Sequence, residues 1–247
     1  MTTAGTRLAE AAEDLVASGL HHLEISADAG DEETYARARG RRDLARVEEG
    51  IRRLAEARRQ AGVVYPRLSV NGVLSDLNAG ALPALADRCA TWGIPILTFT
   101  HAFYVTKGMA ARHNAACPAW PLTEGRRWGI RPQAVDGAAL PEAVGALRRA
   151  HPGLAVVRAP DLDAEQSRRY YATEEPIPGY ARCRTAWSGA QILPNGDLTV
   201  NLACFVPSFG NVRETSLWNG DAFRAFRCSL LAGLPPGCLR CGGLYCG

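Results

Sequence analysis

The residues best able to do chemistry in this chain are cysteines near its C-terminal end. Cys238 and Cys241 form a C-x2-C pair between glycines, a spacing at which two thiolates can bind one metal centre. Cys183 and Cys204 flank a segment whose pattern predicts a β-hairpin, with Asn195–Gly196 as its turn. Four thiolates suit either zinc or an iron–sulfur cluster, so these four cysteines are the candidate metal ligands.

The remaining cysteines are weaker candidates. Cys89 and Cys228 fall within predicted helices, where we expect them to pack as small apolar side chains. Cys117 lies in an irregular stretch, and both interpretations stay open for it. Cys246 is an alternative ligand that would replace one of the four.

Composition places the chain among globular proteins. It has 247 residues, a formal net charge of +3, 47% hydrophobic and 21% charged residues, which excludes a disordered chain. Its arginines alternate with glutamates along predicted helices, as on a solvated face, so we expect no nucleic-acid partner. The sequence has no apolar run that would span a membrane and no signal-peptide core, so we expect a cytoplasmic protein with no membrane partner. In that reducing compartment, clustered cysteines are more often metal ligands than disulfides.

The elements that must position these residues alternate between strands and helices in the first 160 residues. Apolar patterns predict strands at 21–27, 67–74, 94–100 and 153–159. The predicted helices are 6–19, 80–92, 138–150 and a long amphipathic helix that Asp43 caps and Gly62 ends. This order implies parallel strands, buried on both faces, with helical crossovers, as in part of a (β/α) barrel.

The chain is predicted to contain two domains. Residues 1–160 form the α/β domain, in which 102–136 are expected to be a long loop, and 161–182 form a polar linker. Residues 183–247 form a small cysteine-rich domain that combines the β-hairpin with a helix at 219–231.

Three stretches resemble the radical S-adenosylmethionine (radical SAM) enzymes that carry a C-terminal SPASM or twitch domain. The stretch ISADAGDEETYARARG at 25–40 is similar to the fourth strand of that family and the turn after it. TTAGTRL and RLSVNGVL are similar to its third and fifth strands. Residues 183–241 are the most specific match, although Cys204 lies further from the hairpin glycine than the second cysteine of the family does.

The resemblance implies a partial radical SAM (β/α) barrel, strands three to six, followed by a SPASM or twitch domain. It implies an auxiliary 4Fe-4S cluster on Cys183, Cys204, Cys238 and Cys241. The implied reaction is hydrogen abstraction after reductive cleavage of S-adenosylmethionine, with a small-molecule or peptide substrate and a reductant protein as partners. Ser26 and Asn71 would contact S-adenosylmethionine, although satisfying neighbouring backbone groups is an equal alternative.

The family motif C-x3-C-x2-C does not occur in this sequence. Because residue 1 corresponds to the third strand, we expect an N-terminally truncated form of a longer oxidoreductase. The alternatives are a shortened protein without that chemistry, a non-catalytic iron–sulfur protein that transfers electrons or binds substrate, and a zinc-binding module. No catalytic residue is assigned, but His101 is a candidate substrate contact and His113 is expected at the surface of the loop.

Overall fold

A computed structural model describes residues 1–122, 130–200, 208–214 and 217–245 of the chain, so Cys204 and Cys246 lie outside the described residues. The described residues form two compact units. Unit 1 comprises residues 1–101 and 130–167, and unit 2 comprises the described residues of 102–129 and those from 168 onward. Unit 2 therefore takes in residues on both sides of the predicted linker.

Unit 1 contains a five-stranded parallel sheet whose strands lie side by side in chain order. Its strands are β1 (Thr2–Thr3), β2 (His22–Ser26), β3 (Arg67–Leu74), β4 (Ile96–His101) and β5 (Ala155–Ala159). The four predicted strands are confirmed with small shifts at their ends, and the all-parallel order confirms the α/β fold class.

The helices among the described residues are α1 (Ala12–Ala17), α2 (Glu32–Arg39), α3 (Leu44–Gln60), α4 (Leu82–Thr91), α5 (Lys107–Ala116), α6 (Leu140–Ala150), α7 (Ala164–Ala172), α8 (Thr185–Ser188) and α9 (Asp221–Leu231). Asp43 does precede α3, but its side chain makes no capping hydrogen bond and instead pairs with Arg41 at 2.8 Å. Helix α5 lies where a loop was predicted, and the hydroxyl of Thr106 caps it by accepting the N–H of Met109 at 3.0 Å.

The two faces of the sheet differ, which corrects the expectation of burial on both. Side chains alternate along each strand, so Leu23, Ile25 and Phe99 are fully buried on one face. Residues of the opposite face, among them Ser26 and Asn71, are only half-buried, and the side chain of Val157 there is 44% exposed. One face is thus buried and mostly apolar, whereas the other is more open and largely polar.

The turn after β2 lies in the stretch 25–40, which resembles the radical SAM family. Side-chain hydrogen bonds and an ion pair hold this turn in place. The buried carboxylate of Asp28 accepts the N–H of Val73 at 2.8 Å and pairs with Arg39 at 3.0 Å. The side-chain amide of Asn78 donates to the carbonyl oxygens of Asp28 and Val73, at 2.7 and 2.8 Å. A side chain at Gly30 would overlap the carbonyl of Ala84, so this turn lies directly against α4.

The C-terminal part of unit 2 is made of short elements. Its strands are β6 (Arg182–Cys183), β7 (Gln191–Ile192), β8 (Leu198–Thr199) and β9 (Leu244–Tyr245). Strands β7 and β8 pair antiparallel about Asn195–Gly196, where Gly196 has φ +90°, as the predicted hairpin requires. The expected linker at 161–182 contains α7, whose Tyr170 and Tyr171 are buried. No helix within the described residues is both long and apolar enough to cross a membrane.

Candidate metal centre

The C-x2-C pair lies on a tight turn. A 3-10 turn at 236–238 leads into it, and the N–H of Cys241 donates to the carbonyl of Cys238 at 3.2 Å. The N–H of Gly243 then donates to Sγ of Cys241 at 3.3 Å. A hydrogen bond to a sulfur favours the negatively charged form that binds metal, so this turn is built to hold a thiolate at Cys241.

Cys183 lies on the strand that pairs with the end of this turn. Strands β6 and β9 are antiparallel, and Cys183 is opposite Leu244, three residues after Cys241. A Cβ atom at Gly243 would lie 3.1 Å from the hydroxyl oxygen of Thr185 and 3.6 Å from Sγ of Cys241. The absence of a side chain at Gly243 therefore allows the chain after Cys183 to pack closely on the C-x2-C turn.

The full ligand set is not assembled in the described residues. Within those residues, no three histidine, cysteine, aspartate or glutamate side chains converge as a metal site would require. Cys204, the fourth expected ligand, lies outside them, as does the alternative ligand Cys246. The six described cysteines form no disulfide with one another. The four-cysteine site therefore stays a prediction, and the structure contributes the turn and the strand pairing that carry three of its members.

His113 supports the C-x2-C turn, a role that the sequence analysis did not predict. The imidazole is buried, its Nδ1 accepts the N–H of Gly237 at 3.2 Å, and its Nε2 donates to the carbonyl of Trp120 at 2.8 Å. These two bonds fit a neutral ring with its proton on Nε2. Burial lowers the pKa of His113, which keeps the ring neutral. No local sequence signal links two residues 124 positions apart.

Arg240, between the two cysteines, is fully buried. Its guanidinium donates to the carbonyl of Leu239 at 2.6 Å and to carbonyls at the end of α7 and just beyond it. The guanidinium carbon lies 5.6 Å from the ring centroid of Tyr170, whose hydroxyl donates to the carbonyl of Ala102 at 3.1 Å. Tyr104 donates to the carbonyl of Tyr170, and burial raises the pKa of Tyr104 to about 12. Arg240 thus joins the C-x2-C turn to α7.

A cavity of about 530 Å³ lies beside Cys183. Its lining includes Arg182, Cys183, Arg184, Trp187 and Leu231. The side chains of Trp187 and Leu231 are exposed, at 42% and 77%. The cavity thus has two cationic side chains and an apolar wall, and it adjoins Cys183, a candidate metal ligand. Such a lining suits a partly apolar molecule that bears a carboxylate.

Ser26 and Asn71 are neighbours on the polar face of the sheet. They pair in register between β2 and β3, next to Thr98 of β4. The Asn71 side-chain oxygen accepts the hydroxyl of Thr100 at 2.9 Å. Neither Ser26 nor Asn71 uses its side chain to bond a backbone group of the described residues. Their placement suits ligand contact, and their role in binding S-adenosylmethionine stays a prediction.

His101 is not on that polar face. It pairs in register with Leu74 on the buried face, and it is 1% exposed. Burial, together with the nearby positive charge of Arg158, lowers the pKa of His101 to about 3. A neutral, buried imidazole cannot contact substrate from this position, so the expectation that His101 contacts substrate is corrected, although His101 does end β4.

Comparison with known proteins identifies the C-terminal segment. Residues 183–242 match the sequence profile of the SPASM family, described as an iron–sulfur cluster-binding domain. That span includes the candidate ligands Cys183, Cys204, Cys238 and Cys241. A search of the curated proteins found no match.

The fold of the chain is similar to that of larger solved proteins. The crystal structure of Streptococcus suis SuiB has a TM-score of 0.57 and 15% identity, covering 94% of this chain and 52% of that one. SuiB bound to precursor peptide SuiA gives 0.60 and 14%, with 92% and 48% covered. The structure of anSMEcpe with bound AdoMet gives 0.55 and 12%, with 91% and 57% covered. The chain thus spans about half the length of the structures that it matches, and they share the radical SAM/SPASM fold that its sequence resembles.

Proposed function

We propose that this chain, which combines a radical SAM-type α/β fold with a SPASM iron–sulfur domain, holds an auxiliary 4Fe-4S cluster through Cys183, Cys204, Cys238 and Cys241. The observation that carries the proposal is the C-x2-C turn, with its N–H bond to Cys241 Sγ, inside the segment that matches the iron–sulfur family. The donor set fits, because four thiolates are the ordinary ligands of such a cluster. When bound, the cluster would relay an electron or anchor a substrate.

The residues around the turn have defined tasks in this proposal. Gly243 donates to one ligand sulfur, and His113 fixes the chain just before Cys238 through Gly237. Both contacts keep the turn in one geometry before metal arrives, which lowers the cost of ordering it on binding. Zinc binding by the same thiolates is the second candidate, because the described residues leave the metal open.

The polar face of the sheet is the proposed contact region for S-adenosylmethionine. Ser26 and Asn71 would bind and orient it from neighbouring strands, since their side chains lie at one level of the sheet. The implied reaction, radical hydrogen abstraction from a substrate, also needs cysteines in a C-x3-C-x2-C motif, which the 247 residues do not contain. We therefore propose that the chain takes part in that oxidoreductase chemistry only where another polypeptide segment supplies those ligands. Without one, it acts as an iron–sulfur electron-transfer or substrate-binding protein.

The cavity beside Cys183 is the proposed substrate pocket. A small molecule or peptide with a carboxylate would pair with Arg182 or Arg184 and pack on Trp187. Electrons would come from a separate reductant protein in the cytoplasm, where cysteine ligands stay reduced. Trp187→Ala should weaken binding of glutamate-containing test peptides, measured by calorimetry, whereas Trp92→Ala in unit 1 should not.

The proposed metal centre is tested by anaerobic reconstitution with iron and sulfide. We expect about four irons per chain, a brown protein that absorbs at about 400 nm, and loss of both in the Cys238→Ala, Cys241→Ala double variant. Cys228→Ala, an exposed cysteine outside the proposed set, is the matched control and should bind as the parent does. Stoichiometric zinc in place of iron would support the zinc alternative, and a parent chain that binds neither metal would refute the proposal.

A further inference from the structure

Arg240 combines complete burial with a position between two proposed ligands. It is 0% exposed, and its side chain is among the largest that are fully buried in the described residues. Cys238 and Cys241 lie two residues before it and one residue after it. A guanidinium stays protonated in proteins. The chain therefore places a full positive charge in its interior, on a residue that lies between the two candidate ligands in sequence.

The partners of this charge are neutral. Besides the carbonyl of Leu239, its guanidinium bonds the carbonyls of Arg169, Thr173 and Glu175, at 3.1, 2.7 and 2.9 Å. The hydroxyl of Thr173 lies 3.3 Å away. Arg240 forms no ion pair with a carboxylate of the described residues. Two acids belong to this stretch: Glu174 pairs with Arg112 at 2.9 Å, and Glu175 is exposed and bonds Arg240 through its backbone carbonyl.

A buried cation without an anion is costly, because burial removes its hydration. Carbonyls at the end of α7 offset part of that cost, since a helix C-terminus carries roughly half a negative charge. The rest needs an anion that the described residues do not provide. An iron–sulfur centre on four thiolates is anionic, and its negative charge grows on reduction.

We propose that Arg240 is the counter-charge of the metal centre, so that it raises the reduction potential of the cluster and couples metal binding to the stability of unit 2. This inference rests on the proposed function, because it requires a metal on Cys238 and Cys241. Arg240 is a positioning residue, since it acts on the cluster through its charge and through the turn that carries both cysteines. A purely structural arginine would instead serve only to cap the end of α7.

Potentiometric titration of the reconstituted protein separates these roles. At an ambient potential equal to the wild-type midpoint, Arg240→Gln should lower the ratio of reduced to oxidised cluster at least about tenfold, which is about 59 mV for a one-electron couple. Arg240→Lys keeps the charge, although it loses the planar set of donors, and should stay within about threefold of the parent. The absorbance of the cluster measures its reduced fraction in both variants.

Arg227→Gln is the matched control. Arg227 also donates to two backbone carbonyls, of Ala186 and Trp218, each at 2.8 Å, and its guanidinium stacks on an aromatic ring. Its removal should destabilise the fold without changing the midpoint potential of the cluster. A midpoint that is unchanged in Arg240→Gln, or that Arg227→Gln lowers equally, would overturn the inference.

Thermal unfolding tests the coupling without any redox readout and also works with zinc. The gain in melting temperature on adding metal should be smaller in Arg240→Gln than in the parent, because the metal then neutralises no buried charge. Equal gains would overturn the inference, since a hydrogen bond that the variant lacks both with and without metal cancels in this cycle. A parent chain that binds no metal would refute the proposed function itself. If the parent binds metal, but Arg240→Gln shows the same midpoint potential and the same gain in melting temperature, only the role of Arg240 is refuted.

Discussion

The imidazole Nδ1 of His113 accepts the backbone N–H of Gly237 at 3.2 Å, and Gly237 immediately precedes Cys238. A helix in the middle of the chain thereby fixes the start of the C-x2-C turn. A Cβ atom at Gly237 would overlap Leu122 and lie 3.0 Å from the same Nδ1. The contact therefore depends on a glycine on one side and a neutral imidazole on the other.

Replacing His113 should loosen the turn. His113→Ala removes both ring bonds and leaves a cavity, so we expect a loss of about 2–4 kcal/mol in the free energy of unfolding and faster metal release. Chemical denaturation and metal transfer to a chelator measure the two effects. His21→Ala, at an exposed site of unit 1, should change neither, and a His113 variant with parental metal release would contradict the supporting role.

Gly30 should tolerate no side chain. Gly30→Ala would drive a methyl group into the backbone of α4 at Ala84, so we expect destabilisation of about 2–4 kcal/mol. Gly80→Ala is a close control, because nothing lies within 4 Å of the added Cβ atom there. Equal melting temperatures for the two variants would show that the turn after β2 does not lie against α4.

His101 should make the fold sensitive to acid. Its pKa is lowered from 6.5 to about 3 in the folded chain, so below about pH 6.5 the unfolded chain takes up a proton that the folded chain does not. The free energy of unfolding should then fall by up to about 1.4 kcal/mol for each pH unit between 6.5 and 3. His101→Gln should show a shallower dependence than the parent from pH 6.5 to 5. Identical slopes would mean that the imidazole is protonated in the fold.

The described cysteines should differ in reactivity. Burial raises the pKa of Cys89 to about 12, which leaves almost no thiolate at neutral pH, whereas Cys228 is exposed. Mass spectrometry after brief alkylation of the native protein should find Cys228 labelled and Cys89 unlabelled. Labelling of Cys238 and Cys241 should stop after reconstitution with metal, and continued labelling would argue against their role as ligands.

The sequence was sufficient for the features that local patterns encode. The strand at 67–74 and the long helix before it follow from apolar periodicity, and the hairpin follows from Asn195–Gly196. The interpretation of 94–100 as buried on both faces was wrong, because the threonines of β4 turn one side of the strand towards a polar face.

What the sequence could not predict depends on contacts between distant segments. Helix α5 was missed because its apolar residues form no single stripe, and its cap is one hydroxyl, that of Thr106. The roles of His113 and Arg240 depend on partners 124 and about 70 positions away, so no local window contains them. The ligands Cys183, Cys204, Cys238 and Cys241, and the contacts Ser26 and Asn71, remain predictions from motif and resemblance.

The link between His113 and Gly237 also has a consequence for folding and for dissection of the chain. Joining residues 124 apart requires closing a long loop, whose entropic cost falls on the step that completes unit 2. Contacts of such high sequence separation slow folding, so unit 2 should mature later than the parallel sheet, in which even partners as distant as Ile96 and Ala155 are only about half as far apart along the chain. An excised fragment of residues 183–242 would lose helix α5, helix α7 and the carbonyls of Arg169, Thr173 and Glu175 that hold Arg240. The segment that matches the SPASM profile is therefore smaller than the piece that we expect to fold alone.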